Sequence, residues 1–167
     1  MNIKKKILIS VISILIVVII AFGISFFIGG KNKDKILEIK NPYTISYFAN
    51  EMRTEGFTVE MPEEFSSKIF VSIDTSAENL QSYKFKHIDT GEVLFIIYIS
   101  QKDAYKKLTN EYRIIGNANE YTYVWVQSLS NNEHISDASK REEFNEMAKY
   151  YNTIYSKIKI ISETDKH

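Results

Sequence analysis

Chemistry in this chain has few places to begin. The imidazoles are His87, His134 and His167, and there is no cysteine. A histidine becomes a catalytic base when a carboxylate orients it and a nucleophile or substrate proton lies within reach. His87 stands beside lysines in a β-prone segment and His167 is the last residue. Neither has an acid or a hydroxyl at a recognisable spacing. Glu133, His134 and Asp137 gather ligand types in a polar stretch, but three such groups on a loop do not fix a coordination geometry, and a solvated loop is the expected reading. Without cysteine, disulfides, thiolate chemistry and the commonest zinc ligands are all excluded. No Gly-rich phosphate loop, Gly-x-Ser-x-Gly elbow or His-Glu-x-x-His helix occurs. The expectation is a non-catalytic binding or scaffolding protein with no metal and no cofactor; the alternatives are a ligand-sensing accessory subunit of a neighbouring membrane complex and an envelope enzyme whose site shows no recognisable motif.

The one constellation that suggests recognition is aromatic. In Tyr121-Thr-Tyr-Val-Trp125, alternation along a strand sends Tyr121, Tyr123 and Trp125 to one face and Thr122, Val124 and Val126 to the other. Large rings with polar tips are favoured at binding surfaces. Two readings stand: the rings pack under the last helix against Phe144 and Tyr151, or they form an exposed binding face for an envelope protein or a small ligand.

The elements that must position these residues are read from hydrophobic period. Residues 57–61 alternate and stop at Pro62, as a half-buried strand does. Residues 67–73 alternate too, with Ile69, Val71 and Ile73 on one face, and 74–81 reads as a loop. A strand at 83–88 leads into the turn signal Asp89-Thr90-Gly91. Next, Val93-Leu-Phe-Ile-Ile-Tyr-Ile99 is apolar at every position and too short to span a bilayer, so a strand covered on both faces is predicted. Ser100 and Asp103 resemble a capping box ahead of a short helix with Ala104, Tyr105 and Leu108 on one side. Residues 112–115 and 121–127 form a hairpin around 116–119. Asn41-Pro42 suits either a helix start or a strand through 43–48. Ser139 and Glu142 make a capping box, behind which Phe144, Met147, Tyr151, Ile154, Ile158 and Ile161 recur at three- and four-residue steps. This predicts one long C-terminal helix, lying on its own sheet or pairing as a coiled coil.

Ahead of these elements, residues 7–28, from Ile7 to Ile28, form 22 positions without a charge. At 1.5 Å rise per residue that crosses a hydrocarbon core of roughly 30 Å as one helix. Lys4, Lys5 and Lys6 precede it, and Lys31, Lys33, Lys35 and Lys40 follow. A long domain is exported largely regardless of charge, whereas a six-residue tail with three lysines resists export, so the tail is expected in the cytoplasm and the domain outside. Ala21 and Gly23 offer a small-x-small cleavage site, but Ile24, Phe26, Phe27 and Ile28 carry the run past it to spanning length, which favours a retained anchor. The domain plan is a cytoplasmic tail (1–6), a transmembrane helix (7–28), a juxtamembrane linker (29–42) and an extracytoplasmic domain (43–167). The whole chain carries 21 basic and 21 acidic residues; beyond the run the acidic side leads by three, which gives no reason to expect nucleic acid as a partner.

Taken together, Gly56-Phe-Thr-Val-Glu-Met-Pro62-Glu-Glu-Phe65, Gly91-Glu-Val-Leu-Phe-Ile-Ile97, Tyr112-Arg-Ile-Ile-Gly116, Tyr121-Thr-Tyr123 and the helix with Tyr151 and Ile154 resemble a loose group of membrane- or lipid-anchored extracytoplasmic proteins of Gram-positive bacteria. The pattern is also similar to the PsbP and Mog1 type of α/β/α sandwich. Members usually carry Trp where Phe65 stands, and many have a lipobox cysteine that this chain lacks. The resemblance implies an antiparallel sheet with helices on both faces and a location at the cell envelope. It implies no site residues. The expected fold class is α+β: an N-terminal transmembrane helix, then a mostly antiparallel sheet with helices packed on it.

Overall fold

A computed structural model describes residues 36–50, 55–128 and 132–162, all within the compact unit Ile36–His167. The expected transmembrane helix at 7–28 lies outside the described residues. Among those described, no helix is long and apolar enough to cross a membrane.

Among the described residues, eight strands form two antiparallel sheets. Strands β1 (Pro42–Asn50), β2 (Glu55–Pro62) and β8 (Lys159–Ile161) make a small sheet in the order β1-β2-β8. Strands β3 (Ile69–Ala77), β4 (Leu80–His87), β5 (Val93–Gln101), β6 (Arg113–Ala118) and β7 (Tyr121–Gln127) make a larger one in the order β3-β4-β5-β7-β6. Helices α1 (Ala138–Ala148) and α2 (Tyr151–Lys157) follow. The domain is thus mixed, with antiparallel sheets and helices near its C-terminal end.

The core forms where the period-two faces meet. From the large sheet come Tyr83, Phe85, Phe95, Ile97, Ile99, Tyr123 and Trp125; from the small sheet Phe57, Val59 and Met61; from the helices Phe144, Met147, Tyr151 and Ile154. Phe85, Phe95 and Trp125 stack in series across three strands, with centroids 4.3 Å apart at each step. Each such pair adds about 0.5–1.5 kcal/mol beyond its buried area.

Strand β5 explains its unbroken apolar run in two ways. A bulge sits where Phe85 pairs with Phe95 but Lys86 with Val93, so the consecutive residues Leu94 and Phe95 are both buried. On the reverse face Ile96 and Tyr98 are half-buried beside the buried Val124 and Val126. Ser100 on that face accepts from the Tyr105 N–H at 2.9 Å, which brings the 3-10 turn Ala104–Lys107 against this end of the sheet. Among the described residues, α1 and α2 share the core face, together with the small sheet. This differs from the helices on both faces that the sandwich resemblance implies.

Several local expectations are corrected. The long C-terminal helix is two helices and a strand. Tyr150 breaks it at φ −89° and ψ 0°, where its ring meets Phe65 edge-on at 5.3 Å. Ile158 then turns extended, and Ile160 and Ile161 pair with Phe57 and Gly56. The break has a physical cause: an open edge of β2 offers a β-branched segment more than another helical turn does. The stretch at 74–81 is a hairpin, with Ala77 paired to Leu80 and Asn79 at φ 61°. The turn expected at 116–119 sits one step later, at Asn119 and Glu120, because Ala118 pairs with Tyr121. Of the two readings of 42–50, the strand is the one observed. The cap of α1 is Asp137, whose carboxylate accepts from the Ser139 and Lys140 N–H groups, rather than Ser139.

Candidate functional site

The histidine in β4 has partners that lie far away in sequence. Alternation turns Lys84 and Lys86 to the reverse face and His87 to the core face with Tyr83 and Phe85. His87 is fully buried. Its Nδ1 lies 3.1 Å from Thr90 Oγ1 and its Nε2 lies 3.3 Å from Glu143 Oε2 on α1. Glu143 also pairs with Lys68, in the turn just before β3. The Lys68 ammonium, first as hydrogen-bond donor and then as a charge, holds the Glu143 carboxyl below the usual range, and His87 adds to the effect.

A hydroxyl, an imidazole and a carboxylate in sequence is the order of a nucleophilic triad. Here it works as a clamp. Thr90 Oγ1 is engaged in its own turn, accepting from the Glu92 N–H at 3.3 Å, while the backbone of His87 closes the same turn to Gly91 and Glu92. Gly91 takes φ 71°, the conformation glycine adopts without a steric penalty. The imidazole therefore ties the β4–β5 turn to α1 inside the packed interior, edge-on to Phe144 at 6.4 Å.

The other residues singled out from the sequence are placed as follows. Tyr123 and Trp125 are core residues, 0% and 1% exposed, and Tyr121 beside them is half-buried. Trp125 lies under α2, with Tyr151 at 6.5 Å and Tyr155 at 5.8 Å. The face is thus an interior one, not a docking surface, because the helix pair and the small sheet close over it. Burial pushes the Tyr123 hydroxyl well above its usual range, and the nearby Glu55 carboxylate adds to this. Among the described residues, the buried atoms Glu55 Oε2, Tyr123 Oη and Trp125 Nε1 have no hydrogen-bond partner, while the other Glu55 oxygen accepts from Asn119. His134 pairs with Glu92 across 2.7 Å, and Asp137 caps α1, so Glu133, His134 and Asp137 do not converge. Among the described residues, no group of three or more His, Cys, Asp or Glu could hold a metal ion.

Two open grooves lie among the described residues, the first beside the clamp. One of about 470 Å³ is walled by Glu64, Lys68, Glu142, Glu143 and Glu146, with Met147 below. The other, about 540 Å³, lies between Glu38, Lys40, Glu63, Glu64 and Tyr150. Carboxylates outnumber ammonium groups in both, so a neutral or cationic group suits them better than an anion. The second is built partly from the chain leading into the domain. There, Leu37 N–H donates to the buried Thr153 Oγ1 on α2 at 2.6 Å. This packing extends the domain back into the stretch read as linker.

Sequence reasoning missed the clamp because Glu143 lies 56 positions from His87. The one available signal was the alternation that separates His87 from Lys84 and Lys86. No family model, no curated protein and no solved structure matches this chain.

Proposed function

We propose that this chain is a single-pass membrane protein that holds one α+β domain outside a Gram-positive cell, where it binds or scaffolds an envelope partner without catalysis. The observation that carries the reading is the uncharged run at 7–28 with three lysines ahead of it. Its length suits a retained anchor, and its flanks favour a cytoplasmic tail. The PsbP and Mog1 likeness belongs to this proposal; antiparallel pairing supports it, whereas the helices share one face of the large sheet. Seven residues, 29–35, separate the run from Ile36. Fully extended they reach at most about 25 Å, so the partner is one that stands close to the bilayer.

Protease treatment of intact cells tests the location. Digestion of the domain from outside is expected; a domain that survives until lysis, yet is cleaved when purified, overturns the topology. Crosslinking on intact cells then identifies the partner.

A second reading, a ligand-sensing subunit of a neighbouring membrane complex, is favoured by the groove at Glu38, Glu63, Glu64 and Tyr150. A ligand there would touch the juxtamembrane chain directly. Its mark would be a rise in thermal midpoint with an organic or divalent cation, removed by Glu63→Gln with Glu64→Gln.

A further inference from the structure

At one end of the core the apolar pattern stops in several strands together. On the core face of β4, Tyr83 and Phe85 are preceded by Gln81; on β5, Ile97 and Ile99 are followed by Gln101. The position before Phe57 on the core face of β2 is Glu55, and the one before Tyr123 on β7 is Tyr121. Register brings these residues side by side. Gln81 lies opposite Ile99, and Ile99 opposite Tyr123; one step outward, the Gln101 N–H donates to the Asn79 carbonyl at 2.8 Å and Gln101 lies opposite Tyr121. A cavity of about 210 Å³ opens at this end, walled by Thr75, Asn79, Gln81, Gln101 and Tyr121, with the buried Ile99 among them. Unlike the two acidic grooves, it has no charged residue in its lining. Beside it stand two buried polar groups with unspent hydrogen-bonding capacity, a condition the interior penalises. Glu55, 1% exposed, has one oxygen on Asn119, and its other oxygen and the Tyr123 hydroxyl have no partner among the described residues. The Glu55 carboxylate and the Tyr121 hydroxyl both lie close enough to act on the Tyr123 hydroxyl, so the cavity wall and the buried pair are neighbours.

We propose that this polar end of the core is a binding site for a neutral sugar, taken one ring at a time between the amides of Gln81 and Gln101 and the side chain of Tyr121. The chemistry of the wall selects the class. A carboxamide both donates and accepts, and so do the hydroxyls of Thr75 and Tyr121; Asn79 spends an N–H on Glu78 at 3.2 Å and keeps its oxygen. An ammonium group only donates and a carboxylate only accepts, so either leaves half of each amide unmet. Sugar hydroxyls do both, and the Tyr121 ring offers a flat apolar surface to the C–H face of a pyranose. The volume falls below the roughly 300–1,000 Å³ of a drug-sized site, which limits the occupant to a single ring. An extended peptide would need the backbone groups of a free edge, whereas β4, β5 and β7 are each paired on both sides. The inference does not depend on the membrane reading.

The test uses the full-length protein in a detergent without a sugar headgroup. Glucose, N-acetylglucosamine and the β-1,4-linked disaccharide of each are titrated, with binding read by saturation transfer from protein to sugar protons. Methylammonium, inorganic phosphate and trialanine are the comparison probes. At least one sugar should bind saturably, and Gln81→Ala and Gln101→Ala should each weaken it about tenfold. Tyr121→Ala should abolish binding, while Tyr121→Phe, which keeps the ring, should retain part of it. Glu142→Gln, in the groove beside the clamp, should change nothing, and the fluorescence of the buried Trp125 reports that each variant is folded. A monosaccharide that binds as tightly as its disaccharide identifies a free sugar as the ligand; tighter binding of the disaccharide identifies a unit within a glycan, and either supports the site. A folded chain that binds none of the four sugars overturns the proposal, as does sugar binding that the Gln81 and Gln101 substitutions leave untouched. Binding of a comparison probe that those substitutions remove overturns the ligand class.

Discussion

The buried imidazole of His87 shows how a sparse set of polar residues is used. With Thr90 on one nitrogen and Glu143 on the other, the ring is satisfied in an interior that would penalise it otherwise. Replacing Glu143 by Ala removes the Nε2 partner and should cost about 1–3 kcal/mol, read as a lower urea midpoint. The pH dependence follows from the lowered Glu143 carboxyl. A group depressed in the folded state stabilises fully above its unfolded value, and the stabilisation is lost as pH falls through the lower folded value. Stability of the native chain should therefore decline on the acid side with a component that Glu143→Ala lacks. A second residue-scale prediction concerns Asp74. The Ser76 hydroxyl, then the Ser76 N–H, and then Lys84 hold its carboxyl down at about 2. Ser76→Ala removes the first of these and keeps the N–H and Lys84, so it should raise the carboxyl part of the way toward an ordinary aspartate, as a carbon-detected titration of the side chain would record.

Among the elements, close packing and capping give sharper expectations than charge does. A Cβ on Gly116 would lie 2.7 Å from Ile160 Cδ1, where β6 meets β8. The end of a flexible side chain can shift, so Gly116→Ala should destabilise by about 1 kcal/mol, at the low end of overpacking costs. Asp137→Ala, which strips the cap from α1, should cost about 1 kcal/mol as well. Both are read from denaturant midpoints at unchanged slope.

The same elements show what alternation and composition reveal. Strands at Phe57, Tyr83 and Tyr121 were legible because period two repeats in each, and the one at Leu94 because its unbroken apolar run is too short to span a bilayer. The turn at Gly91 was legible because Asp-Thr-Gly has few alternatives. The split of the last helix was not, since Phe144, Met147, Tyr151 and Ile154 keep helical spacing across Tyr150, and only tertiary packing against Phe65 and the edge of β2 interrupts them. For the aromatic face, sequence supplied the residues and their shared side but not what lies above them. That depends on where α2 is laid, and no local pattern encodes it. The Lys68, His87 and Glu143 cluster was illegible for the same reason: its members belong to three separate segments of the chain.

At the scale of the molecule, one core joins the two sheets and the helices, and Trp125 at its centre is the sole tryptophan. Its emission should be blue-shifted and shielded from acrylamide in the native state, then red-shifted in a single step on unfolding. A fragment beginning at residue 31 should retain that step, because the core is drawn from residues beyond Ile36. Two or more separated transitions would show that the sheets do not share one cooperative unit.

The pairing of β2 with β8 has a consequence for the order of events during synthesis. Phe57 meets Ile160 only after about a hundred further residues have been added, and contacts of such separation form late because a long loop must close first. Until then Phe57, Phe85, Phe95 and Trp125 have no roof. The nascent chain thus carries an uncovered aromatic surface through most of its elongation, and it is a natural client for a chaperone that recognises such surfaces. Cutting the chain at Ser156 should leave a product that aggregates, although every strand of the large sheet is present.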